Sequence, residues 1–351
     1  MNTGIGLWTG VDVFLCISGY VITKAFGEDI RAAAQAGSRA WQDEAIRFLV
    51  RRGFRLLPAS LFWIAAAYAL SNLFNRSGAF GSPAQNLQDS VAIVLSVANI
   101  YFAACTTGLL NGCGPNAIYW TVSLEQQFYL LFPLMILLRN RTILVLSALV
   151  FLFFAFVPRD VWIYYNRVDT LAIGMAIALL SRTSMYNAIA PTGISETACR
   201  FLSAGALLGF LLFGTAGLIV LGRYPCVPAL VAATCGIIVL LASYDRGYLF
   251  PDVRLTKIMA AIGERSFSVY HTHNLAMAAS TETFQRFVPA ATLNASWDVP
   301  MVAVALLFLV LFTEASYRFI EIPFRARGKE LVKAWRWQST APRHWLARLF
   351  Y

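Results

Sequence analysis

Charged residues are scarce in this chain of 351 residues: Asp, Glu, Lys and Arg make up 13%, whereas hydrophobic residues reach 58%. A soluble domain carries about 25% charged residues, so the composition excludes a soluble globular enzyme, a disordered chain and a secreted disulfide scaffold. Histidine is rarer still, with three residues in all, which argues against a His-rich metal centre. A polytopic membrane protein remains, because a helical span needs about 20 apolar residues and such stretches recur along the chain.

Cysteine is also sparse, with six residues and no CxxC motif, so the sequence offers no metal-binding spacing. Only Cys105 and Cys113 share a predicted loop. A disulfide between them requires that this loop face an oxidising compartment, and free thiols are an equally good interpretation.

The apolar stretches predict an all-α fold, a polytopic transmembrane helical bundle, because every backbone polar group must be satisfied within lipid. The first stretch lacks preceding basic residues and a small-residue cleavage site, so we interpret it as a span and not as a signal peptide. The stretches lie at residues 7–24, 54–75, 89–104, 118–138, 142–158, 169–181, 201–221, 227–243, 258–279 and 300–319.

The distribution of basic residues indicates the topology. Lys and Arg number 28 against 18 Asp and Glu, a net charge of +10, and they cluster between the apolar stretches. We place the basic residues 25–55 in the cytoplasm, following the positive-inside rule. If 89–104 crossed the membrane, the basic C-terminal tail would lie outside. If 89–104 is re-entrant or interfacial, most basic residues lie inside, which predicts about nine spans plus one such segment.

This arrangement predicts two domains. Residues 1–323 form the transmembrane domain, with 25–55 as a cytoplasmic loop, and residues 324–351 form a basic, Trp-rich cytoplasmic tail. The tail suits an amphipathic helix on the inner leaflet or, alternatively, a disordered segment. Topology and contact with lipid head groups account for the positive charge, so we do not predict nucleic-acid binding.

Three arginines, Arg51, Arg52 and Arg55, mark the start of the second span. One interpretation is a topology anchor. The other is a phosphate-binding site, since Arg52 and Arg55 are three residues apart and share a helix face, where two guanidinium groups suit a diphosphate.

Glu125 interrupts an apolar stretch together with two neighbouring amides. An ionisable residue within a span is energetically costly and indicates function, the alternative being a structural pair with an arginine.

Smaller polar groups favour structural roles. Asp12 is interpreted as an interfacial acid near the outer end of the first span, and Ser18 and Gly19 as sites of close helix packing. Asp169 is interpreted as a helix N-cap or as the partner of Arg167.

His271 and His273 are two residues apart and therefore point to different faces of a helix. They are poor joint metal ligands, and we predict no metal. One of them is expected to line a cavity while the other packs.

Taken together, six stretches in order resemble the membrane acyltransferase family 3. They are GVDVFLCISGYVI (10–22), RRGFRLLP (51–58), WTVSLEQQFYLLFPL (120–134), RVDTLAIGMAIA (167–178), IGERSFSVYHTHN (262–274) and ASYRFIEIPFR (315–325). The resemblance covers nearly the whole chain. It implies a core of ten spans and transfer of acyl groups, usually acetyl, to cell-surface sugars and other hydroxyl acceptors.

The resemblance also implies roles for individual residues. The candidate catalytic residues are Glu125, His273 and Asp12. The candidate acyl-CoA site consists of Arg52 and Arg55 with the neighbouring Arg51. We take as candidate substrate contacts Trp120, Ser123, Tyr129 and Tyr270. The sequence departs from the family pattern at Thr121, Val122, Phe267 and His271.

One departure concerns the start of the chain. Family members begin with an additional helix that carries an Arg and a His of the acyl-transfer centre, whereas this sequence begins just before the second family helix and has no His before His271. The expected explanations are a mis-set start, a fragment, or a family member that no longer catalyses.

The resulting prediction is an integral O-acyltransferase of the bacterial inner membrane. It would move an acyl group, by default acetyl, from acyl-CoA to a hydroxyl of a cell-surface sugar or glycolipid. The alternatives are a catalytically inactive truncated family member and a membrane transporter or flippase.

Overall fold

The computed structural model describes residues 9–340, apart from 159, 192–197, 199–200, 202–204, 206–208, 210–225, 247, 250–252 and 289–296. Within these described residues the regular structure is helical and no strand occurs, which confirms the predicted all-α class. Most of the predicted span at 201–221 and the end of the tail, with His344 and Trp345, lie outside the described residues.

The helices are numbered here in chain order. They are α1 (Gly10–Gln35), α2 (Ser38–Leu73), α3 (Pro83–Val94), α4 (Ala98–Thr106), α5 (Tyr119–Met135), α6 (Asn140–Phe156), α7 (Val161–Tyr165), α8 (Asp169–Leu180), α9 (Ser184–Ala188), α10 (Cys226–Ser243), α11 (Val253–Phe287), α12 (Asp298–Ser316) and α13 (Ile322–Thr340). A π-helical turn, Tyr317–Glu321, joins α12 to α13.

Long apolar helices identify the protein as an integral membrane protein. Three described stretches are long and apolar enough to cross a bilayer: Gly10–Gln35, Ser38–Leu73 and Asp298–Trp335. The helices Asn140–Phe156 and Asp169–Leu180 are apolar but shorter. The predicted number of spans therefore stays a prediction.

The described residues fall into two compact units. Unit 1 takes them from Met1–Trp41, Leu95–Asn111 and Trp120–Ile262. Unit 2 takes them from Gln42–Val94, Gly112–Tyr119 and Gly263–Tyr351. The domain boundary predicted at residue 323 is not tested by this division and stays a prediction.

In unit 1, α1 and α8 approach each other through a reciprocal pair of glycines. A β-carbon on Gly19 would lie 2.2 Å from the backbone oxygen of Leu171, and one on Gly174 would lie 2.0 Å from that of Cys16. Any side chain at either position would force the helices apart, which confirms the packing role predicted for Gly19.

The predicted re-entrant segment 89–104 is broken in the middle. Helix α3 ends at Val94 and α4 begins at Ala98, and between them Ser96 has a φ of 59°. Because the two helices have 12 and 9 residues, neither can cross a hydrocarbon layer of about 30 Å at 1.5 Å per residue. The break argues against a single straight span here.

Two cysteines that follow this break are oxidised. Cys105 and Cys113 are disulfide-bonded, whereas Cys16 and Cys235 are free and buried. This form agrees with the disulfide alternative that the sequence left open for Cys105 and Cys113.

In unit 2, polar contacts hold α2, α11 and α12 together. The indole nitrogen of Trp63 donates to Ser316 Oγ at 3.0 Å, and the hydroxyls of Thr272 and Thr313 lie 3.1 Å apart. Such contacts are typical of helices that associate within lipid, where each replaces a lost hydrogen bond to water.

The start of the basic tail packs as a helix. Helix α13 continues to Thr340, and a β-carbon on Gly328 would lie 2.7 Å from the β-carbon of Phe54. Up to Thr340, the structure therefore agrees with the predicted helix and not with the disordered alternative.

Candidate active site

The buried carboxylate of Glu125 is the most polar feature of α5. Its residue is 3% exposed, the Ser18 hydroxyl donates to Oε1 at 2.7 Å, and the Tyr129 hydroxyl donates to the same oxygen. The other oxygen, Oε2, is buried and receives no hydrogen bond from any residue that the structure describes. Glu125 and Tyr129 are four residues apart and so lie on one face of the helix.

This asymmetry leaves Oε2 as the carboxylate oxygen without a partner among the described residues. The hydroxyls of Ser18 and Tyr129 occupy the two lone pairs of Oε1, so the remaining acceptor capacity of the carboxylate belongs to Oε2. A buried polar atom without a partner costs on the order of 1–3 kcal/mol, and such atoms in folded proteins call for an explanation such as a catalytic role.

Two other polar residues of α5, Ser123 and Gln127, form hydrogen bonds with residues at the break between α3 and α4. The Ser123 hydroxyl accepts the Ala98 N–H at 3.1 Å, where α4 begins. The Gln127 amide donates to the Ser96 carbonyl at 2.8 Å and to Asn99 Oδ1 at 2.9 Å. Ser123, predicted as a substrate contact, therefore caps a helix. The sequence signal for both residues was the polar spacing i and i+4 within an apolar helix.

Asp12 is not an interfacial acid, since it is 1% exposed and paired with a buried arginine. The Arg167 Nε lies 3.5 Å from Asp12 Oδ1, and the guanidinium carbon lies 5.2 Å from the Trp120 ring centroid and 4.7 Å from that of Tyr164. Carboxylate and aromatic faces together compensate the buried charge of Arg167. Trp120, predicted as a substrate contact, stacks on this guanidinium.

Asp169 is not the helix N-cap, so of its two predicted roles only that of a partner of Arg167 remains a prediction. Val168 occupies the N-cap position and makes no side-chain capping bond, while Asp169 is the first residue of α8. A carboxylate in the first turn is stabilised by the positive end of the helix dipole.

In unit 2, the three arginines of α2 have different environments. Arg51 donates to Glu44 at 2.8 Å, and Glu44 also accepts a hydrogen bond from Arg47 at 3.2 Å. Arg52 is buried, with 7% of its surface exposed. Arg55 is half-buried and makes no hydrogen bond or ion pair with any described residue. Arg55 therefore offers the guanidinium most available to an anionic ligand.

Of the two candidate histidines, His271 lines a cavity of about 240 Å³. Its Nδ1 lies 2.9 Å from the Phe267 carbonyl, which can only accept, and its Nε2 lies 2.9 Å from the Ser60 hydroxyl. In the neutral ring, Nδ1 therefore carries the proton and Nε2 is an acceptor, while the Ser60 hydroxyl beside it also donates to the Leu56 carbonyl at 3.0 Å. The prediction that one histidine lines a cavity is confirmed for His271.

His273, the predicted catalytic histidine, is not among the described residues that line this cavity. Its Nδ1 lies 2.8 Å from the Tyr270 carbonyl. The hydroxyl of Tyr270 in turn donates to the Ile118 carbonyl at 2.6 Å, so it supports a cavity wall. The catalytic role of His273 stays a prediction.

Sequence reasoning missed several polar residues around the cavity, namely Ser60, Asn86, Asp89, Asn116 and Asn274. Ser60 and Asn116 lie in an apolar helix and in a loop, Asn86 and Asp89 lie among other polar residues of α3, and Asn274 closes the stretch IGERSFSVYHTHN without being singled out. Their relation depends on tertiary contacts such as the bond of 2.8 Å from the Asn116 amide to Asn86 Oδ1.

Comparison with known proteins gives a consistent result. The family model of an acyltransferase domain matches residues 8–314. The O-acetyltransferase OatA of Staphylococcus aureus is 24% identical over 361 residues, which cover 92% of this chain and 53% of OatA. A protein of Komagataeibacter xylinus named as the membrane-bound transacylase BcsY is 28% identical over 291 residues, which cover 76% of this chain and 66% of BcsY.

The chain thus spans about half the length of the OatA relative. No solved structure gives a significant match.

Proposed function

Because this chain belongs to the membrane acyltransferase family 3, we propose that it is an integral membrane O-acyltransferase. It transfers an acyl group, in the simplest case acetyl, from acyl-CoA to a hydroxyl of a cell-surface sugar or glycolipid. The names O-acetyltransferase and membrane-bound transacylase of two relatives support the reaction class. Their bacterial sources and the apolar helices support a place in the bacterial inner membrane.

The observation that carries the proposal is the buried Glu125, with one oxygen held by two hydroxyls and the other buried without a hydrogen-bond partner among the described residues. Acyl transfer needs a group that takes the proton of the acceptor hydroxyl while its oxygen attacks the thioester carbonyl. Glu125 Oε2 takes this proton. The oxygen–carbonyl bond forms, the carbon–sulfur bond breaks, and the proton passes to the departing CoA thiolate.

Ser18 and Tyr129 act as positioning residues in this scheme, because they fix Oε1 and so orient Oε2. Asp12 also acts through another residue, since its carboxylate holds the buried Arg167.

Arg55 is the proposed contact for the phosphates of the donor. It combines a half-buried position with a guanidinium that is unengaged by the described residues. Arg52, three residues earlier, lies on the same face of α2 and contributes a second, more buried charge. Arg51 contributes less, because Glu44 already neutralises it.

Arg55→Ala tests this assignment. We expect the KM for acetyl-CoA to rise about tenfold or more in the variant, because a hydrogen bond to a charged group contributes roughly 1.5–3 kcal/mol. The measurement is release of free CoA, followed with a thiol reagent, by the purified protein in lipid nanodiscs with a sugar acceptor.

Arg39→Ala is the matched control, since Arg39 is an exposed arginine near the start of the same helix. An unchanged KM in Arg55→Ala would contradict the assignment. If the wild-type protein shows no CoA release that depends on acceptor, the transporter and the inactive family member become the better descriptions.

A further inference from the structure

Three arginines of unit 1 line one open pocket, which is formed by the end of α1 and the connection between α5 and α6. Its volume is about 620 Å³, and its lining combines Arg31 of α1 with Arg139 and Arg141 at the start of α6. All of its described lining residues belong to unit 1. The volume lies within the range of sites for small ligands, about 300–1,000 Å³.

Hydrogen bonds fix the position of Arg31 in this pocket. Its Nε and Nη2 donate to the Ile136 carbonyl at 3.1 and 3.0 Å, and Nη2 also donates to the Leu138 carbonyl at 3.2 Å. These carbonyls directly follow α5, where the last carbonyl groups of a helix have no partner within the helix. The remaining nitrogen, Nη1, makes no hydrogen bond with any described residue. Arg31 is therefore held in place and still has donors left for a ligand.

Arg139 and Arg141 lie where a helix disfavours positive charge. Arg139 is the N-cap of α6 and makes no side-chain capping bond, and Arg141 lies in the first turn. Both side chains are exposed, and neither forms a hydrogen bond or ion pair with the described residues. The N-terminus of a helix carries a partial positive charge, so cations are unfavourable there and anions are stabilised.

The lining contains no acid that would compensate these charges. None of the described residues that form the pocket is Asp or Glu. Glu28, three residues before Arg31, is paired with Arg182 at 3.0 Å, and Asp29 is exposed and does not line the pocket. The positive-inside rule favours basic residues beside a span, but it does not require three of them to share one pocket. Because like charges repel, an anion bound here would stabilise the arrangement.

Exposed apolar side chains lead from the pocket along both neighbouring helices. In each set they are spaced by four and three residues, so they follow one face of a helix. They are Leu130, Leu134 and Leu137 on α5 and the turn after it, and Val145, Leu149 and Leu152 on α6. The first of these sets covers roughly 10 Å, and one leaflet contributes about 15 Å of hydrocarbon.

We propose that this pocket binds the head group of an anionic phospholipid of the inner leaflet. The lipid phosphate accepts hydrogen bonds from Arg31 Nη1 and from the guanidinium groups of Arg139 and Arg141, and the acyl chains lie along the apolar faces of α5 and α6. A basic pocket between helices on the cytoplasmic side is a usual form of such a lipid site. The proposal concerns lipid binding and does not depend on acyl transfer.

The predicted topology places all three arginines at the inner leaflet. Residues 25–55 are predicted to be cytoplasmic, and this range includes Arg31. Because Arg31 bonds the carbonyls of Ile136 and Leu138, the adjacent Arg139 and Arg141 lie on the same side. Leu137 and Leu138 are exposed and line the pocket beside these charges, which suits a lipid better than a soluble phosphate compound.

Native mass spectrometry of the purified full chain tests the proposal, because it resolves individual bound lipids. The probes are palmitoyl-oleoyl phosphatidylglycerol and palmitoyl-oleoyl phosphatidylcholine, which share their acyl chains and the phosphate but differ in net charge. We expect the first phosphatidylglycerol to bind about tenfold or more tightly than phosphatidylcholine, since each arginine near an anionic lipid contributes about fivefold.

The double variant Arg139→Gln/Arg141→Gln should reduce this preference to about twofold or less. Arg39→Gln is the matched control, since Arg39 is an exposed arginine of the same unit and predicted side that does not line the pocket. The control should keep the preference of the wild type. Folding of the double variant is checked in phosphatidylcholine nanodiscs, where its melting temperature should equal or exceed that of the wild type because two cations leave a helix N-terminus.

Three results would overturn the proposal. Equal binding of the two lipids by the wild type, or an undiminished preference in the folded double variant, would leave the arginines as topology anchors among ordinary surrounding lipids. Displacement of bound phosphatidylglycerol by ADP would instead identify a site for soluble phosphate compounds. None of these measurements involves release of CoA, so their failure would leave the proposed acyltransferase function untouched.

Discussion

Two buried glutamates, Glu125 in unit 1 and Glu282 in unit 2, are bound in different ways. Glu282 in unit 2 is 0% exposed and Glu125 in unit 1 is 3% exposed. Both oxygens of Glu282 are used: Oε1 accepts from the Arg76 N–H and the Arg286 guanidinium, and Oε2 accepts from the Ser77 N–H. For Glu125, both protein donors converge on Oε1.

The difference separates a structural carboxylate from a reactive one. Glu282 joins the chain that follows α2 to the end of α11, and its charge is compensated by Arg286 and two backbone dipoles. Both oxygens of Glu282 therefore already have protein donors. Glu125 has protein donors on one oxygen only, which is the arrangement expected where a substrate hydrogen-bonds the other oxygen.

The largest effect is expected from Glu125→Gln. The amide keeps the shape and can still bond Ser18 and Tyr129, but it cannot take a proton from the acceptor. We expect the rate of CoA release at saturating substrates to fall about 100-fold or more, with an unchanged melting temperature. Retention of more than a tenth of the rate would remove Glu125 from the chemical step.

Glu282→Gln should show the opposite pattern. We expect a lower melting temperature, by about 3 °C or more, because an ion pair and charge-assisted bonds are lost. The rate per folded molecule should stay near that of the wild type. A large loss of rate at an unchanged melting temperature would show that hydrogen bonds to both oxygens do not distinguish a structural carboxylate from a reactive one.

The pH dependence sharpens this second test. Glu282 lies beyond the end of the predicted span 258–279. Burial alone raises its pKa, but hydrogen bonds from Ser77, Arg76 and Arg286 outweigh burial and lower the pKa from 4.5 to about 2. A lowered pKa stabilises the fold above about pH 4.5, and this stabilisation is lost as the pH falls toward 2. The melting temperatures of wild type and Glu282→Gln should therefore converge on acidification.

The smallest effect is expected from Ser18→Ala. The substitution removes one of the two hydroxyls on Oε1 and leaves Tyr129 in place. A neutral hydrogen bond contributes roughly 0.5–1.5 kcal/mol, so the rate should fall about two- to tenfold. The readout is the rate of CoA release at saturating substrates. An unchanged rate would reduce Ser18 to a packing residue.

The sequence predicted the features that depend on composition and local spacing. Low charge and repeated apolar stretches were enough for the all-α membrane fold, and the single carboxylate of α5 was enough to select Glu125. The sequence could not show that Ser18 is its partner, since a serine beside Gly19 in an apolar helix has the same pattern as simple packing. The bond appears only when α1 and α5 are brought together.

The errors have the same origin. Asp12 near the end of an apolar helix looks like an interfacial acid until Arg167, far along the chain, is placed against it. Asp169 likewise looks like a helix N-cap until the folded backbone places Val168 in that position. Local pattern identified the polar residues, but only tertiary contacts showed which of their atoms are already occupied.

The two glycines that join α1 to α8 have a mechanical consequence. Helix register shifts take place on microsecond to millisecond timescales where side chains can slide past one another. Gly19 and Gly174 instead place each helix against the backbone of the other, so a shift by one residue would drive a side chain into a carbonyl group. Ser18, next to one of these contacts, therefore keeps a fixed position along α1. The Glu125 oxygen that accepts its hydrogen bond is held in place with it.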